Sequence, residues 1–266
     1  MRLLDDETPE VRTQIAERLA LCGGDISEWL STRDVNLSET EATILTQLLG
    51  TGRREQLEQN WLVPTDGARA LREDWDLFES LLRLISDFLH DGITFRQPLS
   101  DALDLLAEEA EAEGVHSADD LRCFLFEDTL LEGNHNGYDD PRNSDIAWCI
   151  AEGKSNPIGL CIIFSMVARR MGLVAEPVSF PAHFLSRIYE DGQALIVDCF
   201  NHGALHSQKS LLDNPDLSQT ERNILKHTAD PGTILLRILN NLTNALLKAE
   251  RKKDASLVRK LRSTLS

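Results

Sequence analysis

The sequence predicts an α+β fold, and three observations carry that prediction. Apolar residues recur at helical spacing through the first half of the chain. The period falls to two between residues 174 and 200. Helical spacing then returns from residue 234 to the end.

Taken in order, residues 9–21 place Val11, Ile15, Leu19 and Leu21 near helical spacing, with Pro9 at the start and Gly23-Gly24 as the stop. The stretch from Leu3 to Gly23 resembles a single HEAT-type unit, which cannot bury its own face and must pack on the helices after it. A capping-box pattern, Ser38-x-x-Glu41, opens a helix through Leu49 that Gly50 is expected to end. A longer helix over 68–90 has Phe78, Leu81, Leu82 and Ile85 as its core stripe. Helices follow over 99–113 and, behind a Ser117-x-x-Asp120 cap, over 118–127.

A loop rich in Gly, Asn and Asp spans 132–143, and a short helix 146–151. Residues 158–171 are apolar on nearly every side, which marks an interior helix. Asn156 suits its N-cap, Pro157 its first turn and Gly172 its C-terminal stop. Strands are expected over 174–180, 183–189 and 193–200, with Glu190-Asp191-Gly192 as a hairpin turn. If that turn centres on Glu190–Asp191, His183 and Asp198 stand directly opposite each other, and a turn shifted by one residue is expected to spoil the pairing. The tail reads as a helical hairpin, 234–248 and 254–263, tetratricopeptide-like in layout. Three regions result: a helical layer (1–95), a mixed core (96–230) and a C-terminal hairpin (231–266).

Composition narrows the function classes. The net charge of −17 disfavours a nucleic-acid partner, because phosphate binding needs a basic surface, and it repels anionic membranes. The longest near-apolar run, residues 160–168, is too short to span a bilayer. The first residues are acidic where a secretory signal would be apolar, so a cytoplasmic location is expected. Five scattered cysteines without a CxxC pair point to reduced thiols rather than a disulfide framework. Residues 101–145 are crowded with carboxylates against Arg122 and Arg142, either a solvated face or a docking surface for a basic partner.

The chemistry concentrates between residues 155 and 201. A catalytic thiol gains from a helix N-terminus, whose unpaired N–H groups and partial positive charge favour the thiolate. A histidine takes its proton, and a carboxylate holds that histidine in the right tautomer. The order helix start, then His183, then Asp198 matches this scheme, although a structural hydrogen-bonded pair would look the same.

Residues 119–207 closely resemble the transglutaminase-like domain of the bacterial SirB family, a domain shared with one vertebrate F-box protein. The resemblance rests on Tyr138-Asp139-Asp140-Pro141-Arg142-Asn143-Ser144, Asn156-Pro157-Ile158, and Ala168-Arg169-Arg170-Met171-Gly172. It continues through Phe180-Pro181-Ala182-His183-Phe184 and Val197-Asp198-Cys199-Phe200-Asn201. It implies a papain-like core, one buried helix on an antiparallel sheet, with His183 and Asp198 as the family's His and Asp. Asn201 matches a recurrent Asn that supports the Asp. The nucleophile position of active relatives falls on Pro157, and Gly159 stands where relatives usually carry Ser.

Cys161, one turn inside the helix, is the candidate replacement nucleophile, yet at that depth the dipole benefit has faded and a small core role is the simpler reading. Cys199-x2-His202-x3-His206 has ligand-like spacing but no second ligand pair, so no metal is expected, and no cofactor motif is present. His135 is expected to face solvent and Trp148 to sit in the core. The function expected is non-catalytic, binding or regulating another protein. The alternative is a cysteine-dependent amide hydrolase or acyl-transferase using Cys161, His183 and Asp198.

Overall fold

The structure, a computed structural model, describes residues 8–33, 35–181 and 183–266. The fold is α+β. Helices α1 (Pro9–Ala20), α2 (Ser27–Ser31) and α3 (Glu39–Asn60) come first, and α1 packs on α3. Residues 3–7 of the HEAT-like stretch lie outside the described residues. The capping box forms: Ser38 Oγ accepts from the Glu41 N–H at 3.3 Å, and the Glu41 carboxylate accepts from the Ser38 N–H at 3.0 Å.

Gly50 does not end α3, which runs ten residues further to Asn60. Gly50 and Gly52 are both buried. A Cβ on Gly24 would come within 2.9 Å of the Gly52 carbonyl carbon, so glycine at 24 lets its turn press onto α3. The expected 68–90 helix divides into a 3-10 turn, Gly67–Leu71, and α4 (Trp75–Leu89). Asp74 restarts the helix as N-cap, accepting from the Leu77 N–H at 2.9 Å. Helices α5 (Leu99–Ala112) and α6 (Ala118–Arg122) follow, and α6 continues as a π-helical turn, Cys123–Glu127.

Strand β1 (Glu132–Gly133) pairs in parallel with β2 (Lys154–Ser155). Between them lie a 3-10 turn, Pro141–Ser144, and α7 (Ile146–Glu152). Helix α8 (Pro157–Arg170) starts directly after β2 and is buried at every position from Pro157 to Ala168. Its caps match the sequence reading, with Asn156 as N-cap and Gly172 at φ +68° beyond its end.

The sheet is four antiparallel strands in sequential order: β3 (Glu176–Val178), β4 (Leu185–Glu190), β5 (Gln193–Asp198) and β6 (Ala204–Ser207). Ile188 and Val197 point into the main core with α8, while Val178, Leu185 and Ile196 form a second small core with Leu225. That outer layer is built from α9 (Gln208–Leu212) and α10 (Gln219–Lys226). Residues 204–207 form a fourth strand not among the three expected; their side chains lie at the sheet edge, partly or fully exposed, which leaves little apolar alternation to read.

The hairpin register differs from the expected one. Glu190 pairs with Gln193 and Ser186 with Val197, so the turn centres on Asp191–Gly192 rather than Glu190–Asp191. Both turn residues have positive φ, 49° and 75°, the type I′ geometry that matches strand twist and that Asp-Gly favours. Moving the centre by one residue moves each cross-strand partner by two, so facing side chains stay on the same face.

Helices α11 (Pro231–Lys248) and α12 (Lys252–Ser263) pack on each other and return to the N-terminal layer. The start of α11 lies so close to the 3-10 turn that a Cβ on Gly232 would meet the Ala68 carbonyl oxygen at 2.1 Å. The main core runs without a break from Leu57 to Leu265 and includes residues of all three sequence regions. Among the described residues, no helix is long and apolar enough to cross a membrane.

Candidate functional site

His183 lies just ahead of β4, diagonal to Asp198 at the end of β5. The diagonal separation is bridgeable by these side chains, and His183 Nε2 meets Asp198 Oδ2 at 2.7 Å. Asn201 secures the carboxylate from the other side. Its Nδ2 donates to Asp198 Oδ2 at 2.7 Å and its backbone N–H to Oδ1 at 3.2 Å. The structure thus brings together His183, Asp198 and Asn201. Nδ1 of His183 has no hydrogen-bond partner among the described residues, and the ring is about one-third exposed.

The other half of the constellation is the start of α8. Asn156 Oδ1 accepts from the Gly159 N–H at 2.9 Å, and its carbonyl accepts from the Leu160 N–H at 3.1 Å. Pro157, the first helical residue, carries neither an N–H nor a reactive side-chain atom. A side chain at position 159 has no room: its Cβ would lie 2.1 Å from Ser155 Oγ and 3.1 Å from the Asn143 carbonyl oxygen. The Ser155 hydroxyl fills that space, donating to Asn143 O at 3.2 Å and accepting from Cys149 Sγ at 3.0 Å.

Cys161 is fully buried, and its thiol donates to the Phe184 carbonyl at 3.5 Å. No hydrogen bond among the described residues joins it to His183. Its neighbour Cys199 is also buried; that burial, reinforced by the adjacent Cys161 thiol, pushes the Cys199 thiol well up. Burial likewise pushes Cys149 up.

A cleft of about 440 Å³ opens at the α8 start. Asn156, Pro157 and Ile158 form its floor, Phe184 and Tyr138 its side, and α11 its far wall. Asn143 shapes the Tyr138 loop: its Nδ2 donates to the carbonyls of Gly137 and Tyr138 at 2.7 and 3.1 Å, and its Oδ1 accepts from Asn134 at 3.0 Å. His183 stands beside the cleft rather than in its lining. The Phe200 ring connects the two, with centroids 5.9 Å from Tyr138 and 6.4 Å from His183.

A family model described as transglutaminase-like superfamily matches residues 95–240, more than half of the chain. The chain belongs to the transglutaminase-like superfamily. A UPF0162 protein from Xylella fastidiosa (strain Temecula1) is 36% identical over 135 residues, covering 48% of this chain and 48% of that protein. A second UPF0162 protein, from Vibrio cholerae, is 29% identical over 159 residues, 55% of this chain and 58% of its own. F-box only protein 21 of Mus musculus is 26% identical over 113 residues, 42% of this chain and 17% of that protein. The chain thus spans about half the length of the curated relatives first matched. No solved structure matches it.

In this transglutaminase-like chain, α11 supplies cleft residues that the sequence reading did not single out. Arg237, Asn241, Asn244 and Lys248 line the cleft at spacings of four, three and four, one helical stripe. The same spacing is present in the sequence, although Asn240 and Thr243 beside it blur the stripe. Arg237 Nη1 donates to Ser179 Oγ at 3.0 Å and to the Phe180 carbonyl at 2.8 Å, fixing the segment that leads to His183. His135 is exposed as expected, but its ring also packs on Phe200 at 4.5 Å.

Cys199, His202 and His206 do not converge: the Cys199 thiol turns inward to Ser186 Oγ at 3.7 Å, while both histidines are exposed. Among the described residues no group of three or more His, Cys, Asp or Glu side chains could hold a metal ion.

Proposed function

We propose that this chain is a non-catalytic member of the transglutaminase-like superfamily whose cleft at the α8 start binds or regulates another protein. The observation that carries this reading is the α8 start itself. Pro157 occupies the nucleophile position, the Asn156 side chain takes up the Gly159 N–H, and Ser155 fills the space beside Gly159. The thiol one turn deeper is enclosed and committed to a backbone carbonyl. His183 and Asp198 then serve to hold the β4 approach against β5 beside the cleft.

Finer assignments go with this reading: a SirB-type member, cytoplasmic, with a helical region 1–95, a transglutaminase-like region 96–230 and a tetratricopeptide-like hairpin 231–266. The outer face of α5, with Asp101, Asp104, Glu108 and Glu111 exposed, is the candidate secondary contact for a basic partner.

The test is partner capture from the native host by three forms of the full chain. These are the wild type, a cleft variant (Tyr138→Ala with Asn244→Ala), and an α5 variant with those four carboxylates neutralised. Loss of a partner only in the cleft variant supports the reading. Identical partner sets in all three contradict it. The competing reading, a thiol enzyme using Cys161, requires that thiol to react with a small electrophile in the folded protein.

A further inference from the structure

The cleft is lined by two acidic and two basic residues, yet one of its cations lacks a carboxylate partner among the described residues. Four charged residues line it: Asp139, Asp140, Arg237 and Lys248. Asp139 is paired with Lys248 at 2.6 Å, an ion pair that joins the two walls across the mouth. Asp140 is paired with Arg142 at 2.7 Å, and hydrogen bonds from the Arg142 side chain and backbone outweigh burial to hold its carboxyl below the ordinary value. Arg237 has no carboxylate partner among the described residues. In a chain of net charge −17, a half-buried arginine without one is conspicuous.

The geometry of Arg237 says what kind of group is missing. Its Nη1 is committed to Ser179 and Phe180, and its flat face covers the Phe184 ring at 5.1 Å. Nε and Nη2, which form the parallel-donor edge of a guanidinium, have no hydrogen-bond partner among the described residues. That edge matches the two oxygens of a carboxylate. One and two turns further along α11, Asn241 and Asn244 present exposed carboxamides to the same cleft. A carboxamide donates and accepts at once and so complements a peptide group. One uncompensated cation suits a monoanion better than a phosphate dianion.

We propose that the cleft receives a carboxylate borne by a peptide, gripped on the Nε–Nη2 edge of Arg237, with Asn241 and Asn244 binding the adjoining peptide groups. This rests on the cleft being a binding site and specifies its ligand. A volume of about 440 Å³ lies within the range of small-ligand pockets, so a short terminal segment or one acidic side chain with its flanking peptide groups fits, not a folded surface.

The experiment is nitrogen-15 NMR titration of the full chain with three probes: N-acetylalanine, N-acetylalanine amide and inorganic phosphate. N-acetylalanine is expected to shift the Arg237 Nε–H and the side-chain amides of Asn241 and Asn244. The amide analogue is expected to bind more weakly by about tenfold or more, as loss of a charge-assisted pair implies. Arg237→Gln should lose a similar factor for N-acetylalanine, and Arg237→Lys, which keeps charge without the fork, should recover part of it. Should Arg237→Gln fail to fold, the exposed pair Asn241→Ala and Asn244→Ala must still weaken N-acetylalanine several-fold. Equal binding of acid and amide overturns the carboxylate while leaving the cleft as a binding site. Tighter binding of phosphate than of N-acetylalanine, or no shift with any probe, also overturns it. The binding reading itself stands or falls separately, on partner capture.

Discussion

The two halves of the would-be catalytic constellation have been built to different specifications. On the sheet side, His183, Asp198 and Asn201 form a complete hydrogen-bonded chain, with Nδ1 of the histidine left without a protein partner among the described residues. On the helix side, Pro157 has no donor, Asn156 Oδ1 caps Gly159, and Ser155 fills the space beside it. On the proposed reading, the histidine side of the constellation serves as scaffolding beside a helix start that carries no nucleophile. Asp198 still joins the end of β5 to His183, and Phe200 carries that corner to the cleft wall at Tyr138.

The sharpest way to break this contrast is to reopen the helix side. Gly159→Ser forces a Cβ to within 2.1 Å of Ser155 Oγ, in a fully buried position, and should destabilise the protein by about 3 kcal/mol. Adding Ser155→Gly should return about half of that loss, since the two residues contest one volume. Chemical denaturation of the single and double variants measures both. A harmless Gly159→Ser would mean that the helix side is not closed.

Next in size is a matched pair of deletions. Asp198→Ala leaves His183 Nε2 and Asn201 Nδ2 without their acceptor and should cost about 1.5 kcal/mol. Asn156→Ala removes the α8 cap and should cost about 1 kcal/mol. Comparable losses identify both halves as structural. A stable Asp198→Ala variant would detach the pair from the scaffold and reopen the question of why it is there.

Much of this contrast was legible in the sequence. The interior character of α8, its Asn156 cap, and Pro157 at its first position come from composition and local capping rules. The partnership of His183 with Asp198 was read from a hairpin register that proved wrong, and a shift of one residue, expected to spoil it, did not. The hairpin turn sits at Asp191–Gly192, one residue on, and the pair survives because the partners move by two and remain on one face. Asp-Gly, the type I′ dipeptide, was the signal that could have set the register. Gly50 misled because a glycine inside a helix costs only about 1 kcal/mol relative to alanine, which the packing around α3 overrides. The fit of Ser155 into the space at Gly159, and the arrival of α11 at the cleft, depend on tertiary contacts that no local pattern encodes.

The smallest effect concerns acid stability, at Asp25. Burial raises the Asp25 carboxyl, but hydrogen bonds from His90 and Ser27 outweigh it and hold the group well below its ordinary value of 3.8. As pH falls, the unfolded chain therefore takes up this proton first. The stabilisation is present above the ordinary value and is lost on acidification below about pH 4. Asp25→Asn should flatten the fall of Tm in that range. A mutant profile parallel to the wild type would place acid sensitivity elsewhere.

The central claim is that the helix side carries no working nucleophile, and native thiol labelling tests it most directly. The folded protein is treated with iodoacetamide at about pH 6, and each cysteine is read by peptide mass spectrometry. Cys22, exposed on the N-terminal layer, should be the site modified as the pH is raised, while Cys149, Cys161 and Cys199, all fully buried, stay unmodified until the protein unfolds. Rapid modification of Cys161 in the folded chain, slowed by His183→Ala, would contradict the account and establish a working thiol one turn inside α8.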